Sequence, residues 1–293
     1  MVGTEQPRGT VELGDNLDAL RAMNAGSADL IYVDPPFNTG RDRRYVRLET
    51  RRSETGERTG FGDKRYSARE LSVRTFDDAF DDYLGWLEPR LVEARRVLSA
   101  SGTLYFHIDY REVHYCKVLL DSIFGRASFL NEIIWAYDFG GRPRRRWPAK
   151  HDNILVYVRD PRSYTFNADA VERIPYMAPG LVGPEKAKRG KLPTDTWWHT
   201  IVPTSGSERT GYPTQKPLGV LNRIVTASSD PGDLVLDFCA GSGTAGVAAA
   251  NLGRRFHLID NNPEALAVMA TRFAGMPGIR WVGYDPSAAP EVT

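Results

Sequence analysis

A short apolar run that ends in an acidic residue and two prolines constrains the fold of this chain more than any other stretch. Residues 28–33, ADLIYV, have the continuous apolar character of a buried strand, and Asp34-Pro35-Pro36-Phe37 follows at once. Strands of that kind belong to parallel sheets whose two faces are covered by helices. Because ligands of such α/β sheets bind where strands end and loops begin, we expect Asp34 to lie at a binding edge.

The residues of this motif combine hydrogen-bond acceptors with a flat apolar face. Two consecutive prolines remove two N–H donors and keep the backbone extended, so the carbonyl near Pro35 becomes a rigid acceptor. The cluster therefore suits a planar ligand with an exocyclic amino group. Its protons would go to Asp34 and the Pro35 carbonyl, and its ring would stack on Phe37. A plain Pro-Pro turn that ends a strand is the alternative.

Composition excludes several classes of protein. Hydrophobic residues make up 41% of the 293 residues and the net charge is +1, which is ordinary for a globular enzyme. No stretch predicts a membrane span or a signal peptide, so we expect a cytoplasmic location and no membrane partner. Cys116 and Cys239 are the only cysteines. Neither a disulfide framework nor a zinc cluster is indicated, and no metal is expected.

The apolar patterns around the first motif predict strand–helix–strand units and so an α/β fold. A helix is predicted over 17–23, with Asp15 or Asn16 placed to cap it. A long helix is predicted over 76–98, where apolar residues recur at helical spacing. Pro89 lies inside this span and favours its division into two helices.

Residues 38–75 are rich in arginine and glycine and show almost no apolar period. This composition predicts a long mobile loop, which in a compact domain usually has a function or is disordered. Arg41, Arg43 and Arg44 are its candidates for contacts with DNA phosphates. A solvated loop balanced by its own acidic residues is the alternative.

A second basic segment, which we call the basic connector, spans residues 139–151. It begins with two glycines, contains Trp147 and has several cations without one acidic residue before Asp152. Basic side chains around an aromatic ring are typical of loops that follow phosphates and stack on bases. A solvated run of charge is the alternative. Its candidate DNA-binding residues are Arg142, Arg144, Arg145, Arg146 and Lys150.

A glycine-rich turn follows a second buried strand near the C-terminal end. The strand over 234–238 leads into the turn 239–244, and a later strand ends at Asp260, which could accept ribose hydroxyls. The glycines also match G-x-G-x-x-G, which keeps a dinucleotide site as an alternative. Asp237 argues against it, because a carboxylate there would repel a pyrophosphate but pair with the ammonium of S-adenosylmethionine.

The sequence Tyr-Pro-Thr-Gln-Lys-Pro at 212–217 precedes a helix predicted over 218–228. Thr214 is placed to cap this helix and Pro217 to lie in its first turn. A helix start is the structural explanation. The functional one places Lys216 near the carboxylate of the cofactor's methionine end.

Three motifs in one order resemble a known family. Asp-Pro-Pro-Phe at 34–37 comes first, the motif at 212–217 second, and Asp-Phe-Cys-Ala-Gly-Ser-Gly at 237–243 third. Together they resemble the bacterial DNA amino-methyltransferases, and a catalytic motif before the cofactor motif is the permuted order of their beta class. Ribosomal-RNA guanine-N2 methyltransferases can also carry Asp-Pro-Pro-Phe, but their glycine motif comes first. Asp260 is a departure, because the family commonly has Glu there.

The resemblance implies a single Rossmann-like S-adenosylmethionine-dependent methyltransferase domain over 1–293, with a mixed seven-stranded sheet and a final reversed strand. It implies that residues 160–210 form the target-recognition segment and that residues 150–157 line the base pocket. It assigns catalysis to Asp34, Pro35, Pro36 and Phe37. The residues implied to hold S-adenosylmethionine are Asp15, Asn16, Asp34, Thr214, Gln215, Lys216, Asp237, Phe238, Cys239, Gly241, Ser242, Gly243, Thr244, Asp260 and Asn261.

The implied reaction moves a methyl group from S-adenosylmethionine to the exocyclic amino group of a base flipped out of double-stranded DNA. An Asp before Pro-Pro favours N6 of adenine, and N4 of cytosine stays open. The rivals are an NAD-linked oxidoreductase and a DNA-binding protein with a decayed site. A cytosine-C5 methyltransferase is disfavoured, since neither Cys116 nor Cys239 follows a proline. The resemblance is compatible with a homodimer, with a cognate restriction endonuclease that forms no stable complex, and with a nucleoid-associated enzyme.

Overall fold

The computed structural model describes residues 7–38, 43–52, 58–59, 65–76, 80–203 and 206–288. The chain divides into two compact units, one formed by Met1–Pro35 with Leu84–Thr293 and the other by Pro36–Tyr83. This division differs from the single domain expected over 1–293. Among the described residues, no helix is long and apolar enough to cross a membrane.

Helices and strands alternate along most of the chain. The strands are β1 (Gly9–Leu13), β2 (Ala28–Val33), β3 (Arg43–Arg52), β4 (Arg58–Thr59), β5 (Arg65–Phe76), β6 (Leu98–Asp109), β7 (Phe129–Ala136), β8 (His151–Val158), β9 (Thr196–Trp198), β10 (Leu234–Asp237), β11 (Arg255–Asp260) and β12 (Ile279–Val282). The helices are α1 (Asn16–Ala22), α2 (Tyr83–Val97), α3 (Val113–Phe124), α4 (Pro184–Arg189), α5 (Leu218–Ser228), α6 (Thr244–Asn251) and α7 (Pro263–Arg272).

The larger unit contains a nine-stranded sheet in the order β12-β1-β11-β10-β2-β6-β8-β7-β9. Strand β8 is antiparallel to β6 and β7, and the other pairs in this sheet are parallel. The predicted mixed α/β sheet is therefore confirmed, but the reversed strand is β8, inside the sheet, and not the final strand, since β12 is parallel to β1. The predicted count of seven is wrong, because β12 and β9 extend the sheet at its two edges. Strand β9 comes from the segment 160–210, whose Trp197 is buried.

The middle of this sheet is apolar, as the sequence predicted. In β2, Leu30, Ile31 and Val33 are 0% exposed. Strand β10 pairs in parallel with β2 on one side and with β11 on the other. Since parallel strands end at the same edge of a sheet, the residues that follow β2, β10 and β11 are brought together.

The smaller unit contains a three-stranded antiparallel sheet in the order β3-β5-β4. The prediction of a loop over 38–75 is wrong for the residues in these strands. Tyr, Val and Thr favour strands, but closely spaced arginines obscured any period of two in the sequence. Arg43 and Arg44 belong to β3, and Arg41 lies outside the described residues.

Helix α2 begins at Tyr83, so the prediction of a helix from Phe76 is wrong. Phe76 ends β5 instead. The helix continues through Pro89 without division. Proline removes one backbone donor, and the fully buried Leu87 and Leu91 on either side anchor the helix to the core despite that loss.

Candidate active site

Three carboxylates meet at one edge of the large sheet. Asp34 follows β2, Asp237 ends β10 and Asp260 ends β11, three adjacent parallel strands. Asp237 is buried, and the side chain of Asp34 is 15% exposed. The structure thus brings together the acidic residues of the first and third motifs, as the sequence predicted.

The two oxygens of Asp34 have different surroundings. Oδ2 lies 2.5 Å from the Nζ of Lys216, whose side chain is also largely buried. Oδ1 is buried and has no hydrogen-bond partner among the described residues. The second motif therefore reaches the first through an ion pair that the sequence did not predict. One oxygen is charge-compensated, and the other is a buried acceptor whose hydrogen-bonding capacity is not used by the described residues.

Asp237 is held in an environment that disfavours its charge. Burial raises the pKa of Asp237 well above its ordinary value, and the nearby Asp34 and Asp260 raise it further. The backbone N–H of Cys239, 3.1 Å from Oδ1, and Lys216 act in the opposite direction. A bound cation would supply the positive charge that this carboxylate lacks.

The glycine turn has almost no room for side chains. Gly241 has φ +50°, and a Cβ there would lie 3.1 Å from the Tyr212 ring. Gly243 has φ +74°, and a Cβ there would lie 2.7 Å from Met269. The left-handed backbone and the close contacts both require glycine. The predicted tight turn is present, and it packs on the motif at 212–217 through Tyr212.

Asp260 braces this turn. Its Oδ2 accepts the backbone N–H of Gly241 at 2.8 Å, and its Oδ1 accepts that of Asn262 at 2.9 Å. Burial raises the pKa of Asp260 despite these hydrogen bonds. Each oxygen retains a further lone pair, so the predicted ribose contact is compatible with these two hydrogen bonds to the backbone. Asn261 follows Asp260 and is exposed.

The side chains of Ser242 and Thr244 are engaged inside the protein. Arg272 Nη1 donates to the Ser242 carbonyl at 2.8 Å and to Thr244 Oγ1 at 3.0 Å. Both residues are buried. Their predicted contacts with the cofactor would therefore have to come from the backbone of the turn.

Asp15 and Asn16 connect α1 to the glycine turn. Asp15 caps α1, as predicted, and accepts the N–H of Leu17 at 2.8 Å. Asn16 Nδ2 donates to the Phe238 carbonyl at 2.9 Å. Arg90 donates to Asn16 Oδ1 at 2.6 Å and to Asp15 Oδ2 at 3.1 Å.

Sequence reasoning missed Arg90, which is 8% exposed. An arginine on the buried face of a helix, next to the apolar Leu91, was the available signal, because a buried guanidinium needs acidic or carbonyl partners. It ties the helix α2 to the residues beside the glycine turn.

The loop before α5 differs from the prediction. Thr214 does not cap α5, because the Glu208 carboxylate accepts the N–H of Leu218 at 3.1 Å. Pro217 occupies the N-cap position and not the first turn. Gln215 folds back into the loop, where its Oε1 accepts the N–H of Thr210 at 2.8 Å. Thr214 lies in the left-handed region at φ +64°, too far from the helix start to cap it.

The model of the DNA methylase family of N6 and N4 amino-methyltransferases matches residues 28–271. This chain belongs to that family. It is 31% identical to the DNA adenine methyltransferase YhdJ of Escherichia coli K12 over 263 residues, which cover 87% of this chain and 79% of the relative. It is also 31% identical to the Type II methyltransferase M.HpaI of Haemophilus parainfluenzae over 256 residues, 87% of this chain and 71% of the relative.

Solved structures of DNA methyltransferases share the fold. The complex of M1.HpyAVI with S-adenosylmethionine has a TM-score of 0.57 at 20% identity, covering 90% of this chain and 98% of that one. The cytosine-N4-specific PvuII DNA methyltransferase has a TM-score of 0.61 at 13% identity, covering 97% and 92%. The methylase described here is an S-adenosylmethionine-dependent enzyme that methylates amino groups of DNA bases.

The residues of the methylase fit this cofactor. A buried carboxylate with a raised pKa at Asp237 matches an ammonium group. Among the described residues, no group of three or more His, Cys, Asp and Glu could hold a metal ion.

The basic connector of the methylase is exposed at most of its cations. Arg144, Arg145 and Arg146 lie on the surface, and Trp147 is 94% exposed. Lys150 is engaged differently, because its Nζ donates to two carbonyls of the same loop at 2.7 Å each. We therefore expect Lys150 to stabilise the loop, and the three consecutive arginines to be available to DNA. Arg142 pairs with Asp138 at the surface.

Sequence reasoning also missed the roles of three buried side chains near Asp34, those of Tyr32, His107 and Asp152. His107 of β6 is 0% exposed, and its Nδ1 lies 2.7 Å from the Tyr32 hydroxyl of β2. Its Nε2 lies 3.2 Å from Asp152 Oδ2 of β8. Asp152 Oδ1 accepts the Tyr137 hydroxyl at 2.9 Å. A histidine and an aspartate in otherwise apolar strands were the available signal, because buried polar groups require partners.

Proposed function

We propose that this enzyme methylates N6 of adenine at a specific site in double-stranded DNA, with Asp34 as its catalytic acceptor. Oδ1 of Asp34 carries this proposal, because it is a buried acceptor with no hydrogen-bond partner among the described residues and has the capacity to accept an amino N–H. Adenine is favoured by the Asp before Pro-Pro and by the E. coli relative, which is named an adenine methyltransferase. Cytosine N4 is the second candidate, since the PvuII enzyme with the same fold is cytosine-N4-specific.

The chemistry follows from the acceptors. An amino group bonded to Asp34 Oδ1 and to the Pro35 carbonyl has a nitrogen lone pair that is less conjugated with the base ring and so more nucleophilic. Bound nearby, S-adenosylmethionine supplies an electrophilic methyl group. Asp34 is also the nearest carboxylate for the proton that the amino group loses. Alignment in a site shielded from water would contribute most of the rate.

The cofactor site would be formed by the glycine turn and its flanking acids. Asp237 would pair with the ammonium, Asp260 would accept the ribose hydroxyls, and Asn16 would lie near the adenine end. The stacking role of Phe37, at the start of the smaller unit, and the base-reading role of residues 160–210 stay predictions. An NAD-linked oxidoreductase is disfavoured, because a buried Asp237 would repel a pyrophosphate.

The proposal also covers the biological role, the oligomeric state, the class and the location of the enzyme. The M.HpaI relative is a Type II methyltransferase, which favours a restriction-modification role beside a cognate endonuclease that need not bind this chain. A homodimer, the permuted beta-class assignment and a cytoplasmic, nucleoid-associated location stay predictions of the resemblance.

The choice of base is tested on DNA methylated by the purified enzyme. We expect digestion to nucleosides and mass spectrometry to show N6-methyladenine and no N4-methylcytosine. Plasmid incubated with the Asp34→Ala enzyme is the matched control for methylation carried over from the host. N4-methylcytosine alone would overturn the adenine assignment and leave the acceptor chemistry intact.

The basic connector is tested by charge reversal. Replacing Arg144, Arg145 and Arg146 with Glu should weaken binding to all DNA sequences alike, because phosphate contacts carry no sequence information. If all three contact phosphates, the slope of log affinity against log salt should fall by about 3, at roughly 0.9 for each phosphate. Fluorescence anisotropy over a salt series measures both effects.

A matched control reverses three exposed arginines elsewhere in the larger unit. These are Arg21, Arg126 and Arg280, which are all exposed. We expect this variant to keep most of the wild-type slope. A loss of affinity confined to one DNA sequence in the connector variant would instead make the connector a reader of bases.

A further inference from the structure

The protonation states of Tyr32 and Asp152, which both form hydrogen bonds with His107, follow from burial and hydrogen bonding. Burial raises the pKa of Tyr32 well above its ordinary value, with help from nearby carboxylates, so the phenol keeps its proton. Burial by itself would raise the pKa of Asp152, but its interactions with His107, then with Lys216 and Tyr137, hold that pKa below its ordinary value. Asp152 is therefore a carboxylate and can only accept.

These states select one tautomer of His107. Since Asp152 accepts, the proton of a neutral imidazole lies on Nε2, 3.2 Å from Asp152 Oδ2. Nδ1 is then an acceptor, and it receives the Tyr32 hydroxyl at 2.7 Å. The rings of Trp135 and His107 meet edge to face at 5.5 Å, which restricts rotation of the imidazole.

The strand register explains why this histidine lies beside the proposed catalytic carboxylate. Val33 and Phe106 are the last paired residues of β2 and β6, and Asp34 and His107 are the next residues in the chain. His107 Nδ1 lies 3.9 Å from Asp34 Oδ1, the oxygen that has no hydrogen-bond partner within the described part of the chain. In the Nε2-protonated tautomer, Nδ1 has no proton to offer that oxygen.

We propose that Tyr32, His107 and Asp152 are positioning residues that keep Oδ1 of Asp34 available to the amino group of the target base. The inference rests on the role of Asp34 proposed above. The opposite tautomer would place an N–H on Nδ1, next to Asp34. It would compete with the amino group for Oδ1 of Asp34.

The test is Asp152→Asn, because an asparagine amide can donate to Nε2 and so favour the opposite tautomer. Where the histidine itself takes part in the reaction, an Asp→Asn change that favours the wrong tautomer can lower kcat by about 10⁴. In this enzyme His107 would act only through Asp34, so we expect a smaller fall in kcat, of roughly 10- to 100-fold. S-adenosylmethionine affinity should stay within about twofold, since the change touches none of the proposed cofactor contacts.

Nitrogen NMR of the histidine rings reads the tautomer without activity. We expect wild-type His107 to be protonated on Nε2 and the Asp152→Asn protein to carry substantial Nδ1 protonation. The His107→Gln protein, which lacks the signal, identifies it among the five histidines. Tyr137→Phe is the matched control, because it removes the other hydrogen bond of Asp152 and should change neither tautomer nor rate.

Two outcomes would overturn the inference. One is Nδ1 protonation in the wild-type enzyme, and the other is an Asp152→Asn enzyme with the turnover of Tyr137→Phe. Equal thermal unfolding midpoints of these two variants would show that a slower Asp152→Asn enzyme is not merely misfolded. An Asp34→Ala enzyme that still methylates DNA would remove the proposed role of Asp34 and leave the tautomer measurement unaffected.

Discussion

Asp34→Ala is expected to lose methyl transfer by at least about 10²–10³-fold, the order seen when one preorganised polar contact at a reacting centre is removed. Affinity for S-adenosylmethionine should stay within a few-fold of wild type, because Asp237 and the glycine turn are unchanged. Single-turnover incorporation of labelled methyl groups into DNA measures the first quantity, and isothermal calorimetry the second.

A second variant separates lost chemistry from lost folding. Asp34→Ala leaves the largely buried Lys216 without the carboxylate that lies 2.5 Å away, which should destabilise the fold. Asp34→Ala with Lys216→Met removes both charges and should recover part of the thermal stability without recovering activity. Near-normal methylation by either enzyme would refute the role of Asp34.

Asp237→Ala is expected to weaken S-adenosylmethionine binding by about tenfold or more, the order of one lost charge-assisted contact. The buried carboxylate is the proposed partner of the cofactor's ammonium, so the loss should appear in calorimetry with the cofactor alone. Asp18→Ala is a suitable control, because its carboxylate is exposed on α1 and should leave the affinity unchanged. An unaltered affinity for Asp237→Ala would refute the assignment.

The raised pKa of Asp237 adds a pH dependence with a definite sign. A bound ammonium favours the ionised carboxylate, so binding releases a proton wherever Asp237 is still protonated. Affinity should therefore rise with pH as long as Asp237 is still protonated in the free enzyme, and it should level off above the raised pKa of this carboxyl. Calorimetry in buffers of different ionisation enthalpy counts the proton, and Asp237→Asn should remove it.

The raised pKa of Asp237 also predicts how the stability of the free enzyme depends on pH, and this effect has the opposite sign to the effect on cofactor affinity. A carboxyl whose pKa is raised by folding contributes stability below its unfolded-state pKa, and this contribution is lost as pH rises through the folded-state pKa. Asp237 therefore makes the free enzyme less stable at neutral than at acidic pH. Asp237→Asn should consequently raise the thermal midpoint of the free enzyme while weakening cofactor binding. A lower midpoint would show that the carboxylate stabilises the fold.

Features that depend on local sequence were predicted well. The buried strand before Asp34, the tight turn at Gly241 and Gly243, and the Asp15 cap each follow from neighbouring residues and backbone geometry alone. The meeting of Asp34, Asp237 and Asp260 also followed, because the ends of parallel strands share an edge. Which oxygen of each carboxylate already has a partner within the protein could not be predicted, because it depends on residues far away in the sequence, such as Lys216.

Features that depend on tertiary neighbours were missed. Glu208, and not Thr214, caps α5 because the preceding loop folds back, which no local rule describes. His107 and Asp152 lie on separate strands that meet only through the sheet register. The strands β3 and β5 were missed because closely spaced arginines leave no clear period of two in the sequence, and because the two strands pair across the residues that separate them.

The strand order has a consequence for synthesis of the enzyme. Strands β10 and β11 separate β1 from β2 in the sheet, although both follow them late in the chain. During synthesis, β2, the strand that Asp34 follows, therefore cannot pair with β10 until most of the polypeptide has left the ribosome. At about 5–20 residues per second this leaves β2 unpaired on that side for some ten seconds or more. A stop codon before β10 would remove β10 and β11 from the middle of the sheet together with the edge strand β12.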